Sequence, residues 1–370
     1  VVGLVTPDRR ISSALKELKE MYAPVDVRFA DGKFTVKNRN DFLASDGIEC
    51  IYFVKQNGKI VSENKLDISG IMPRESKTFD LSVPVCRDEY KTVDFYFYKD
   101  EREIAKRQII LSDVFTESFS DDFSNVVITE RNDRSAVVKT GGATYIVGRN
   151  GMLSSVSVGG REMLKSPVKL NTHRALIDND KRMKWTVLEG VPLGEILRNV
   201  GFFARETRVE KNTVFVKGAL AVAELAWRVE VEICYSLFND GRIHTKVNAV
   251  QKPNGLDDFL MRFGFEIQLA DEYERVKYFG RGPDECYEDK RHLATVGLYD
   301  EKLEDMYVLY LKSQEGGSHV DTRKAEVYGK SGSVTAFSNK NFSFSVAPYK
   351  SDEYPLHMHD VEKSRAPVFN

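Results

Sequence analysis

Tryptophan is scarce, two residues in 370, and histidine numbers only six. The four cysteines, Cys50, Cys86, Cys234 and Cys286, lie far apart and none forms a Cys-x-x-Cys pair. Neither a zinc ribbon nor a dithiol redox motif is therefore written here, and buried free thiols are expected. No window approaches about 18 uninterrupted apolar residues, which excludes a spanning helix. The opening Val-Val-Gly-Leu-Val-Thr-Pro-Asp-Arg-Arg has no basic region ahead of an apolar core, so it does not spell a secretory signal; it begins as a fragment would. Neither sign of charge dominates: Lys plus Arg number 54 against Asp plus Glu 56, a net charge of −2. That balance lacks the cationic face a nucleic-acid or anionic-membrane partner would require.

What is plentiful is aromatic: Phe 22 and Tyr 16, residues that suit pleated, half-buried surfaces. Ile11, Ala14, Leu15, Leu18, Met21 and Tyr22 recur at helical steps, predicting a helix over 11–22 capped by Ser12 or Ser13 and ended by Pro24. The period then changes to two. Val25, Val27 and Phe29, the turn Asp31-Gly32, then Phe34 and Val36 spell a hairpin, and Asn57-Gly58 supplies a second. Thr92 to Tyr98 and Glu103 to Leu111 flank the charged turn Lys99-Asp100-Glu101. Such spacing predicts an immunoglobulin-like sandwich over 24–112, followed by a Ser- and Asp-rich linker over 113–125. From 126 to 370 strand-and-turn signals continue at Gly141-Gly142, Asn150-Gly151, Gly159-Gly160 and Asn239-Asp240-Gly241, with helical periodicity possible only around Leu193 to Val200. They predict one large antiparallel sandwich or barrel, and an all-β fold for the whole.

Three places could carry chemistry. His357 and His359 would share a strand face, but two ligands are too few for zinc, so no metal site is expected. Tyr278-Phe-Gly-Arg-Gly-Pro-Asp-Glu-Cys-Tyr-Glu-Asp-Lys290 lacks the Lys-Ser or Lys-Thr of a phosphate loop; it reads as a tight loop in which Arg281 pairs with Asp284, Glu285 or Asp289. Asn171-Thr-His-Arg-Ala-Leu-Ile-Asp-Asn-Asp-Lys181, with Trp185 near it, offers amides and carboxylates suited to sugar hydroxyls. The same residues suit an Asx-rich turn equally well.

Arg174-Ala-Leu-Ile-Asp-Asn-Asp180 resembles the Arg-Ala-Pro-x-Asp-Asn-Asp motif of the large bacterial β-galactosidases of glycoside hydrolase family 2. The 278–290 stretch is similar to their Gly-x-Gly-Pro-x-Glu-Asn-Tyr-x-Asp-Arg motif, with departures at Leu176, Cys286 and Lys290. Gly3-Leu-Val-Thr-Pro-Asp-Arg9 is similar to the place where that family's catalytic barrel gives way to its fourth domain. The resemblance implies a C-terminal fragment: the end of the barrel over 1–23, the fourth domain, and a galactose-mutarotase-like β-supersandwich truncated at its C-terminus. Leu15, Leu18 and Tyr22 would then be parted from barrel neighbours, and the helix should fray, repack or meet another chain.

The same resemblance implies that the two catalytic glutamates and the magnesium ligands belong to the absent barrel, so this chain alone holds no catalytic residue and no cofactor. It places Asp178, Asn179, Asp180 and Lys181 at the active-site rim. It gives Arg174, Arg281, Gly282, Pro283, Glu285, Tyr287 and Asp289 structural roles. The partner implied is a galactoside, met through a full-length enzyme that is a homo-oligomer, in either the bacterial cytoplasm or the periplasm. A stand-alone carbohydrate-binding or protein-contact module and a sugar 1-epimerase are the alternatives; the epimerase needs a His–carboxylate pair that the sequence does not spell.

Overall fold

The computed structural model describes residues 4–6, 9–81, 83, 88–131, 134–177, 180, 187–188, 191–192, 198–222, 228–251, 260–310, 313–330, 332–350 and 366–370. Strands dominate them, and every named strand pairs antiparallel. Val25–Ala30 and Lys33–Asn38 are joined at Asp31 and Gly32, whose φ values of 50° and 75° are those of the tight turn the sequence calls for. Ser76–Phe79 completes that sheet, and Lys59–Leu66, Glu49–Gln56, Lys91–Lys99 and Arg102–Ser112 form a second in this order. Alternation sends Val25, Val27, Phe34 and Val36 of one sheet against Cys50, Val54, Val93, Phe95 and Phe97 of the other. Burial there pushes the Cys50 thiol up to about 12, so it packs as an inert apolar group.

Three larger sheets follow, besides a two-stranded one of Val187–Leu188 and Val191–Pro192. Five short strands between Val127–Glu130 and Arg161–Glu162 share a core with a four-stranded sheet, Gly201–Glu210, Thr213–Ala221, Arg228–Leu237 and Ile243–Gln251. A seven-stranded sheet runs in the order Lys169–Asn171, Gly264–Gln268, Val368–Phe369, Gly332–Ala347, Ser318–Gly329, Tyr273–Gly282, Thr295–Lys302. The helical stretch suggested around 193–200 lies mostly outside the described residues. Among those described, no helix is long and apolar enough to cross a membrane.

Residues 113–125 carry no strand but are fastened to the later sheets. Asp113 pairs with Arg323, Glu117 accepts from Lys324 Nζ at 2.7 Å, and the Asn125 amide donates to Asn239 Oδ1 at 2.9 Å. The Tyr90 and Phe115 rings meet Phe279 at centroid distances of 5.1 and 5.4 Å. Gln108 clasps the backbone of Val296 from both sides, donating to its carbonyl at 2.9 Å and accepting from its amide at 2.8 Å. Gly58, at φ 78°, serves two needs here, since a Cβ would also stand 2.8 Å from Leu298 Cγ.

The helix spans Ser13–Met21, with Ser12 Oγ accepting from the Leu15 amide at 3.3 Å. Its apolar stripe is covered only in part, with Leu15 and Leu18 half-buried and Met21 exposed. Tyr22 is 80 % exposed, while Glu20 is 2 % exposed. Ser13, Lys16, Glu17 and Glu20 also recur at three- and four-residue steps, and this polar face is the one that docks. Glu20 accepts from Arg107 Nη1 and the Lys106 amide, both at 3.0 Å, and Glu17 accepts from the Leu293 amide at 2.8 Å. The surface beneath the helix supplies cations and amides, which replace the water that buried carboxylates lose.

Candidate functional site

The first motif follows strand Lys169–Asn171, where Asn171 Oδ1 accepts the His173 amide at 2.9 Å in an Asx turn. Arg174 forks onto Asp180, Nη1 to Oδ2 at 2.7 Å and Nη2 to Oδ1 at 3.0 Å, and Asp180 also accepts the Ile177 amide at 2.9 Å. Asp180 thus closes its own loop. The other rim candidates, Asp178, Asn179 and Lys181, lie outside the described residues, as do Trp185, His357, His359 and Cys86. Behind the loop, Glu315 accepts the Ala175 amide at 3.2 Å and pairs with Arg262.

The second motif turns at Gly282-Pro283, joined by a cis peptide bond, and closes where Tyr287 and Lys290 exchange backbone hydrogen bonds of 3.0 and 2.9 Å. Glu285 is its hub. The carboxylate, 4 % exposed, accepts from Lys290 Nζ at 2.8 Å, Ser13 Oγ at 2.7 Å, the Gly317 amide at 2.8 Å, and the Tyr310 hydroxyl. Burial pushes this carboxyl up, but the charge of Lys290 and the converging donors outweigh it and hold Glu285 below the usual glutamate range.

Arg281 does not pair with Asp284, Glu285 or Asp289 as its sequence neighbourhood suggested. Its guanidinium binds Asp321, Nε at 2.8 Å and Nη2 at 2.7 Å, and caps the Ala294 carbonyl at 2.9 Å. The reason is topological. Strand Ser318–Gly329 lies beside Tyr273–Gly282 and brings Asp321 alongside, while the turn after Gly282 carries Asp284 to Lys16 and Glu285 to Ser13 of the helix. Asp289 sits on the exposed surface of the turn. Arg281 in turn lowers the Asp321 carboxyl despite the opposing effect of burial.

Tyr287 joins the motifs: with Arg174, Arg262 and Glu315 it lines a cavity of about 640 Å³. Its hydroxyl is buried, and burial pushes its pKa well above that of an ordinary tyrosine. His319 is 1 % exposed between the rings of Tyr278 and Phe344, at 4.9 and 5.3 Å, and its Nδ1 lies 3.0 Å from the Arg281 carbonyl. Burial depresses its basicity and keeps it neutral. Glu315, Arg262 and Asp321 were missed by sequence reasoning, since no local spacing links them to the motif residues they hold.

Chemically, three of the motif carboxylates each face a cation: Asp180 with Arg174, Glu285 with Lys290, Asp284 with Lys16. Glu285 is held below its ordinary range, whereas an acid catalyst needs a carboxyl pushed upward. Glu301 is the one described carboxyl so shifted, by burial, and it lies outside both motifs, accepting from the Tyr278 hydroxyl at 3.0 Å.

The model of the beta galactosidase small chain matches residues 140–370. The chain belongs to that family. The model of beta-galactosidase domain 4 matches residues 34–113, within the earlier pair of sheets. Curated relatives include beta-galactosidases of Actinobacillus pleuropneumoniae, 28 % identical over 97 % of this chain, and of Streptococcus thermophilus, 26 % identical over 98 %. A third, from Kluyveromyces lactis, is 26 % identical over 98 %. The chain spans only about 36 % of the length of the first two, so it corresponds to part of a β-galactosidase.

Proposed function

We propose that this chain is the non-catalytic portion of a retaining hydrolase of terminal β-D-galactosides, and that it braces the catalytic barrel and shapes the rim of its active site. Retaining cleavage needs two carboxyl groups about 5 Å apart, one nucleophile and one acid/base. The family's acid/base follows an asparagine, and no Asn-Glu dipeptide occurs in the sequence. The observation that carries the reading is the ion-paired motif cluster: carboxylates engaged by Arg174, Lys290 and Lys16 hold the two loops in shape, and Glu285 at the hub is held below its ordinary range. Asp178, Asn179, Asp180 and Lys181 are the proposed rim, magnesium and galactoside are proposed to bind through the barrel, and the whole enzyme is proposed to be a homo-oligomer.

The test is turnover of o-nitrophenyl β-D-galactoside by the purified chain, alone and co-expressed with a barrel-bearing partner portion of a relative. No turnover alone and restored turnover together is expected; hydrolysis by the chain alone ends the proposal. In the restored enzyme, Lys181→Ala should alter KM for galactosides with bulky leaving groups more than kcat. Polarimetry on α-galactose forms a separate arm, in which acceleration by the chain alone would instead favour the epimerase.

A further inference from the structure

Arg323 stands at a break in the seven-stranded sheet. Strand Ser318–Gly329 pairs Thr322 with Phe342 and Lys324 with Phe337, so Arg323 alone faces the stretch 338–341 that bulges from the neighbouring strand. On its other side the ladder with Tyr273–Gly282 ends at Phe279 opposite Lys324. Bulges of this kind re-aim a side chain. Arg323 is 2 % exposed, with the Tyr90 ring 5.8 Å from its Cζ and Asp113 accepting from its Nη2. Nε and Nη1 are buried as well, and neither has a hydrogen-bond partner among the described residues. A guanidinium withdrawn from water needs its N–H groups engaged.

Arg323 lines a cavity of about 310 Å³ where strand Arg102–Ser112 meets the seven-stranded sheet. Period-two alternation puts Lys106 of the same wall on the face of Gln108, which clasps Val296. The Lys106 ammonium makes no ion pair with a described residue. Arg291, also on the wall, meets Glu288 at 3.4 Å, and both side chains are exposed. The remaining cations of the wall are already matched: Arg281 with Asp321, Arg107 with Glu20 and Asp26, His292 with Glu17. Arg323, Arg291 and Lys106 are therefore left with one carboxylate in the cavity, that of Asp113, whose side chain is 58 % exposed. An ion pair to so exposed a partner is weak and readily displaced.

We propose that this cavity is a binding site for a phosphate group, with Arg323 at its floor and Arg291 and Lys106 at its mouth, and that Asp113 competes with the phosphate for Arg323. The Asp113 carboxylate takes Nη2 and leaves Nε and Nη1 unmet. A phosphate group brings three acceptor oxygens and nearly two negative charges at neutral pH, enough to take an edge of the guanidinium and to face both flanking cations. The surplus of positive charge excludes a metal cation, and a carboxylate ligand would bring only half the charge. The inference does not rest on the galactosidase reading.

The test follows thermal unfolding of the full chain in sodium phosphate against sodium chloride at matched ionic strength and neutral pH. Phosphate should raise Tm along a saturable curve, and chloride should not. Lys106→Gln and Arg291→Gln should each weaken phosphate about two- to fivefold, whereas Asp113→Asn, which removes the competing carboxylate, should tighten it by a similar factor. Arg323→Met should abolish saturation; if that variant does not fold, the other three carry the test. A phosphate effect that never saturates, or a half-saturation point unchanged across the variants, would overturn the proposal. Phenyl phosphate binding as tightly as inorganic phosphate assigns the site to monoesters, and binding of inorganic phosphate alone assigns it to the free anion.

Discussion

The helix Ser13–Met21 and the hairpin that follows it, Val25–Asn38, obey opposite rules. In the hairpin the apolar side of the alternation is buried except at its tip: Val25, Val27, Phe34 and Val36 are each at most 4 % exposed, while Phe29 beside the turn is 40 % exposed. In the helix Met21 and Tyr22 face water, Leu15 and Leu18 are only half-buried, and Glu20 is buried. The two segments are equally amphipathic to the eye. What differs is the surface opposite, which is Phe95 and Phe97 for the hairpin but Arg107, Glu285, Asp284 and His292 for the helix. Periodicity therefore identifies two faces, and the partner decides which of them is dry.

The comparison breaks most easily at the hub of the polar junction. Glu285→Ala should cost about 3–5 kcal/mol, as much as a large cavity in the hairpin's apolar core, because Lys290, Tyr310, Ser13 and the Gly317 amide all lose their acceptor. Urea denaturation read by tyrosine fluorescence measures it; a cost under about 1 kcal/mol would show the junction to be solvated. Buried titratable groups around this junction give the fold a pH dependence. Burial depresses His319 below its ordinary 6.5, so the unfolded chain takes the proton first, and stability complete above that pH declines as pH falls through it. Glu285 and Asp321, held below their ordinary 4.5 and 3.8, contribute stability above those values that is lost as acid protonates them. Unfolding midpoints between about pH 3 and pH 8 should fall in two limbs, and His319→Gln should flatten the upper one.

Local features of the fold were legible because each is decided by adjacent residues. The turns at Asp31-Gly32, Asn57-Gly58 and Asp100-Glu101 all carry the positive φ their sequences invite. The Arg174 and Glu285 motifs were likewise visible as dense runs of charge. Their partners were not, since Asp321 lies 40 residues from Arg281, Glu315 lies 140 from Ala175, and Ser13 lies 272 from Glu285. Strand order sets those pairings, and no spacing rule reaches across a sheet. For the rim the reading still stands on the sequence, with Asp180 alone described and engaged in holding its own loop.

A smaller effect separates the two faces of the helix itself. Glu20→Ala strands one guanidinium N–H of Arg107 and the Lys106 amide, but Arg107 keeps Asp26 at 2.9 Å and the Glu20 carbonyl at 2.7 Å. A loss of about 1–3 kcal/mol is expected, and Glu20→Gln should recover part of it by accepting the same hydrogen bonds.

The smallest effect belongs to the apolar face. Tyr22, 80 % exposed, should tolerate Tyr22→Ser within about 0.5 kcal/mol, because little area leaves water when this chain folds. An aromatic side chain packed against another surface would instead lose about 1.5–3 kcal/mol on truncation. Measuring the variant at two protein concentrations, with sedimentation alongside, distinguishes these cases. A large, concentration-dependent loss would mean that the stripe of Ala14, Leu18 and Tyr22 is covered in solution, and that helix and hairpin obey one rule after all.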